Sequence, residues 1–161
     1  MTETRRGAFA LHIDSLRARA ASPPPYDAAM AVLTRMIGFL TTNDSGRATK
    51  FYRDVLGFGI MDEDEYALVL DANGTIIRLN KARDFKPAQG TVVGWEVDDI
   101  EAAIRELTPR GVRFEQFNLP FMTQDPLGVW TPPNGDKVAW FKDPDGNVLS
   151  ISQHVRRPSR Q

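Results

Sequence analysis

Cysteine is absent from this 161-residue chain, and histidine occurs only twice, at His12 and His154. Without cysteine there are no disulfides, no thiolate zinc sites and no cysteine nucleophile, a composition that fits a reducing compartment. Long hydrophobic runs are missing too; nothing approaches the ~20 apolar residues of a membrane span. Charge of neither sign dominates, because 20 Lys and Arg face 21 Asp and Glu, a formal charge of −1. No overall field recruits nucleic acid or an anionic membrane. Thr4-Arg5-Arg6-Gly7-Ala8-Phe9 has a twin-arginine look, but His12, Asp14, Arg17 and Arg19 interrupt the only candidate hydrophobic stretch behind it. The chain therefore reads as soluble and cytoplasmic, with neither nucleic acid nor membrane as partner.

A 42% hydrophobic content is enough for one core that buries roughly two-thirds of the unfolded surface. Residues 1–34 read as an extension. Phe9, Ile13, Leu16 and Ala20 recur at helical spacing until Ser22-Pro23-Pro24-Pro25 stops them, and Tyr26, Met30 and Leu33 suggest a second short helix. Residues 35–154 carry the main domain, and 155–161 form a basic tail. Within the domain, Met36–Thr42 reads as a strand, Asp44 as an N-cap, and Ala48, Phe51, Tyr52, Val55 and Leu56 as the stripe of a helix ended by Gly57. Strands follow at Gly59–Met61, Tyr66–Leu70 and Thr75–Asn80, the last two joined by an Asn73-Gly74 hairpin turn.

The order then repeats. Thr91–Val97 is a strand; Asp98–Leu107 is a helix with Ile100, Ala103, Ile104 and Leu107 on one face; and Gly111 ends it. Strands are expected at Arg113–Phe117, Lys137–Phe141 and Asn147–Ser152, which gives two βαβββ modules at about 36–81 and 90–153. Residues 118–135 are too rich in proline for a helix and too long for a plain hairpin, so Phe121, Met122 and Trp130 suggest a lid. At the end, Asp143-Pro144-Asp145-Gly146 forms a tight turn. Beyond it Val148, Ser150, Ser152 and His154 share one face, and Leu149 and Ile151 share the core face with Val93, Trp95 and Val97.

Two such modules, the string Phe51-Tyr52-Arg53-Asp54-Val55-Leu56-Gly57-Phe58, Val97-Asp98-Asp99-Ile100 and the closing Asp143-Pro144-Asp145-Gly146-Asn147 resemble the vicinal-oxygen-chelate superfamily, which includes glyoxalase I, bleomycin-resistance proteins and extradiol dioxygenases. The resemblance implies an α+β fold of two tandem βαβββ modules forming one curved mixed sheet, often in a homodimer; the apolar stripe of the extension suits such pairing. It also implies a cleft in which family metalloenzymes hold a divalent ion with His, Gln or Glu from four strands. Those four positions fall here on Ile37, Arg78, Val92 and Ser150. Ile37 and Val92 have no electron pair to donate, and Arg78 repels a cation. One-residue slips to Gly38, Ile77, Val93 or Leu149 do not restore a site, and His154 lies two residues past the usual reach. No metal and no other cofactor is expected.

Carried along each strand, the same phase places Ile37, Phe39 and Thr41; Ile76, Arg78 and Asn80; Val92, Gly94 and Glu96; and Val148, Ser150 and Ser152 in the cleft. Apolar walls with a few polar groups suit an aromatic or anionic small molecule, and the candidate ligand-binding residues are Phe39, Thr41, Arg78, Asn80, Glu96, Trp130, Ser150 and Ser152. Arg78 and Glu96 either pair with each other or serve a ligand. The leading expectation is a metal-free binding protein; the alternative is a lyase, isomerase or dioxygenase-like enzyme, either with Glu96 as base and Arg78 stabilising an anion or with metal ligands at other positions than these four.

Overall fold

The computed structural model describes residues 33, 35–117 and 119–155. The helices expected before residue 33 and the tail beyond Val155 lie outside them. Strand β1, Ile37–Thr42, opens the first repeat. Asp44 caps the following helix as its sequence suggests, its Oδ1 accepting the Arg47 N–H at 2.9 Å. That helix, α1 (Ser45–Thr49), runs on into wider π-helical turns over Lys50–Val55, and together they bury Ala48, Phe51 and Tyr52. Gly57, at φ 79°, ends the turn in the left-handed region that glycine occupies at least cost.

Strands β2 (Gly59–Glu63), β3 (Ala67–Ala72) and β4 (Thr75–Lys81) complete a four-stranded sheet in the order β1-β4-β3-β2. Asn73 and Gly74 both have positive φ, 56° and 91°, as the Asn-Gly signal requires. In the second repeat, β5 (Thr91–Glu96) leads to α2 (Ile100–Leu107), whose cap is Asp99, so the helix starts two residues later than the apolar pattern suggests. Strands β6 (Lys137–Lys142) and β7 (Val148–Gln153) then form a three-stranded sheet in the order β5-β7-β6. In both repeats the first strand pairs in parallel with the last, β1 with β4 and β5 with β7, and a helix crosses between them. The ladders make two sheets, and Val93 reaches to within 4.0 Å of where a Cβ on Gly38 would stand, which brings β5 beside β1.

The strand expected at Arg113–Phe117 is reduced to a single bridge, Phe114 to Phe141. A side chain takes the ladder's place: Gln124 accepts the Phe117 N–H through Oε1 and donates from Nε2 to the carbonyls of Glu115 and Gly128. One continuous core joins both repeats, with Leu40, Leu68, Leu70, Ile77 and Leu79 on the first sheet and Ala139, Phe141, Leu149 and Ile151 on the second. Val93, Trp95, Val97 and Leu56 pack against it as the alternation predicts. Each fully buried side chain of this size contributes about 1.5–3 kcal/mol relative to exposure. The opposite face of each sheet lies outside this core.

Candidate functional site

On the first sheet the strand register sets Ile37 beside Ile76, Phe39 beside Arg78 and Thr41 beside Asn80, with Val69 opposite Arg78 on β3. The face is open, for Phe39 is 60% and Ile37 45% exposed, and mixed in character, since the register adds Asp62 beyond Val69 and Asp71 beyond Ile76. Arg78 thus stands in a row between Phe39 and Val69. Its guanidinium has one acidic neighbour, Asp64, at 3.9 Å, while Glu96 has no ion-pair partner among the described residues. The structure therefore does not bring Arg78 and Glu96 together as a pair. Asp64 is held below the usual carboxylate range, first by the backbone N–H groups of Ala67 and Tyr66 and then by Arg78 and Lys81.

On the second sheet Gly94 lies opposite Ser150 and Glu96 opposite Ser152, as the sequence phase requires. The phase breaks at Val92. A bulge between Thr91 and Val93 inserts one extra residue, so Thr91 faces Val148 and shares the cleft side with Ser150. Ser150 is 8% exposed, and a Cβ on Gly94 would collide with its Oγ, so the glycine makes room for the serine rather than for a ligand. Ser152 hydrogen-bonds His154 at 3.2 Å, and His154 Nδ1 lies 3.2 Å from Asp136, which ties this histidine to the surface.

Sequence reasoning missed an aromatic row on this face. Trp140 on β6 pairs with Ser150 on β7, which puts its indole in the cleft. Trp130 stacks beside it at 6.2 Å between ring centroids, and Phe117 meets it edge to face at 5.7 Å. The Trp140 Nε1–H donates to Thr91 Oγ1 at 2.9 Å. The signal was readable: projecting β6 onto β7 across the Asp143-Pro144-Asp145-Gly146 turn gives Trp140 the phase of Ser150. Of the three loop residues suggested as a lid, Met122 is buried, Phe121 is exposed and Trp130 belongs to this row. At the end of the row a pocket of about 310 Å³ is lined by Phe117, Lys142 and Val148, with Pro87–Gln89 on its other side.

The closing turn fastens the two repeats together. Asp145 accepts the Thr42 hydroxyl at 2.6 Å, the Asn43 N–H at 3.1 Å and the Arg47 guanidinium at 3.0 Å, and its side chain is fully buried. Asp143 accepts the Tyr52 hydroxyl at 2.8 Å and the Asn147 amide at 2.7 Å, and Asn147 also donates to the Thr41 carbonyl at 2.9 Å. Burial pushes the Asp143 carboxyl above its ordinary range, against the hydrogen bonds from Asn147 and Tyr52 that pull it down. Burial, and then Asp143, raise the Tyr52 hydroxyl well above the usual tyrosine value.

The family model for the Glyoxalase/Bleomycin resistance protein/Dioxygenase superfamily matches residues 31–151. The chain belongs to this superfamily. A search of curated proteins finds no match. Among solved structures, a superfamily member from Sphaerobacter thermophilus DSM 20745 is 23% identical, with a TM-score of 0.58, covering 76% of this chain and 98% of that one. A glyoxalase/bleomycin resistance protein/dioxygenase from Nocardioides is 16% identical, with a TM-score of 0.59, covering 94% of this chain and 97% of its own. TnmS3, an antibiotic binding protein from Streptomyces sp. CB03234, is 23% identical, with a TM-score of 0.56, covering 78% and 99%. These likenesses establish the fold.

The superfamily's divalent ion does not fit the residues present. Ile37 offers no donor, Thr91, which the bulge sets in place of Val92, offers a neutral hydroxyl already bonded to Trp140, the guanidinium of Arg78 occupies a third position, and the Ser150 hydroxyl is turned against Gly94. No group of three or more His, Asp or Glu side chains suited to a metal occurs among the described residues. No helix among them is long and apolar enough to cross a membrane.

Proposed function

We propose that this superfamily member is a metal-free small-molecule-binding protein whose ligand lies in the concave cleft, with an anionic group of the ligand held by Arg78. The observation that carries the reading is the row Phe39, Arg78, Val69, Asp62: a cation flanked by apolar side chains on an open face, whose ion-pair contact among the described residues is Asp64 at the long distance of 3.9 Å. A guanidinium so placed has donors to spare for a carboxylate, phosphate or enolate oxygen. The likeness to an antibiotic binding protein supports binding as an occupation of this fold. Two copies forming a homodimer accord with the exposed apolar Ile60, Met61 and Tyr66 around β2, and light scattering at rising concentration checks it.

A thermal-shift screen over metals, thiols, antibiotics and aromatic acids, followed by calorimetry on the hits, tests the proposal, since a ligand that binds the native state raises the melting temperature. Arg78→Ala should weaken binding of an anionic hit by several-fold to a few hundredfold, on the order of 1.5–3 kcal/mol for a charged hydrogen bond. Ser150→Ala should change it far less. Elemental analysis returning about one metal per chain, lost on changing Glu96 or His154, would overturn the metal-free reading and favour the enzyme.

A further inference from the structure

We infer that Trp140 is a stacking platform for a flat aromatic ring carrying an anionic substituent, and that Thr91 is the positioning residue that sets the platform's orientation. This rests on the reading of the concave face as a ligand site and adds its chemical class. Three contacts define the tilt of Trp140. Phe117 packs against the ring of Trp140 edge-on, Trp130 flanks it, and the indole N–H is bonded to Thr91. With its one polar group satisfied, the surface that the half-buried Trp140 leaves exposed is apolar ring. The ring is half-buried on an open sheet face, neither sealed in the core nor free in solvent.

The bulge at Val92 is a second, independent observation. A regular β5 would turn Thr91 away from Ser150 and Trp140; the one extra residue turns it toward them. The row then leads into the pocket of about 310 Å³, where Phe117 and Val148 supply apolar walls and Lys142, whose ammonium is ion-paired with Glu115, supplies a further side. That volume is at the lower end of small-molecule sites, enough for a one- or two-ring group. Lys142 donates to Glu115 at 3.0 Å, and an ammonium carries three N–H donors, so it can bridge that carboxylate and a ligand's anion.

The test uses 2-naphthoate, its neutral counterpart 2-naphthylmethanol and the non-aromatic cyclohexanecarboxylate, added to the full chain labelled with 15N. Three indole N–H signals are expected, one for each tryptophan. Naphthoate should move the Trp140 signal and bind more tightly than either comparison compound. Trp140→Ala should weaken it about tenfold, Trp140→Phe should restore most of the loss, and Lys142→Ala should reduce the preference for naphthoate over naphthylmethanol. Thr91→Val, which keeps the β-branched shape, should shift the free Trp140 signal and lower naphthoate affinity a few-fold without lowering the melting temperature by more than a degree or two. An unmoved Trp140 signal, or equal affinity for naphthoate and cyclohexanecarboxylate, overturns the inference. Naphthoate that moves Trp140 but binds Arg78→Ala as well as the parent keeps the inference and removes Arg78 from the proposed function.

Discussion

Tyr52 was legible as a buried helix residue but not as a partner of Asp143, because 91 positions separate them and no local pattern links a helix stripe to a distant turn. Its hydroxyl gives the clearest pH dependence at the scale of single residues. In the unfolded chain a tyrosine loses its proton near pH 10; in the fold burial and Asp143 hold it on. Above pH 10 the native state thus binds the extra proton, so stability falls as pH rises, by about 1.4 kcal/mol per unit for one group. Asp143 acts in the same direction at lower pH, since its raised value also makes the native state the better proton binder. Tyr52→Phe should cost about 1–2 kcal/mol at neutral pH, because the buried carboxylate loses a donor, and should flatten the alkaline slope. Urea titrations at pH 8 and pH 11 on both proteins measure this; an unchanged slope would show that another group sets the alkaline limit.

Among the elements, the strands, the Asp44 cap, the Asn73-Gly74 turn and the glycine stops at Gly57 and Gly111 were readable, since each rests on neighbours in sequence. Two departures were not. Thr91, Val92 and Val93 all favour strands, so nothing in the string marks which of them is the extra residue, and the bulge stays hidden until β7 is set beside it. Arg113–Phe117 has strand composition, but Gln124 meets its hydrogen bonds from across a loop. The pairing of β5 with β7 makes a further prediction. Gly94→Ala should destabilise by about 1–3 kcal/mol, because the new methyl meets the Ser150 hydroxyl. Ser150→Ala in the same chain should recover most of that loss, as the remaining Cβ lies 3.8 Å away. Equal costs of Gly94→Ala in both backgrounds, read from urea midpoints, would place the strain elsewhere.

Across the whole molecule, the closing motif Asp143-Pro144-Asp145-Gly146-Asn147 ties the two repeats together. Its composition was plain in the sequence; its role required seeing Asp145 buried against Thr42, Asn43 and Arg47. Asp145→Ala should cost about 2–4 kcal/mol, with a lower urea midpoint and an unchanged slope, because the donors of the first repeat are left without their acceptor. A shallower slope would mean that the two repeats had begun to unfold separately. Distance along the chain gives this contact a place in time as well. Thr42 and Asp145 are 103 positions apart. At roughly 5–20 residues per second of synthesis, the end of β1 leaves the ribosome about 5–20 s before the carboxylate that will hold it. During that interval water must serve the Thr42 hydroxyl and the Thr41 carbonyl, and a chain truncated anywhere between the two leaves them so.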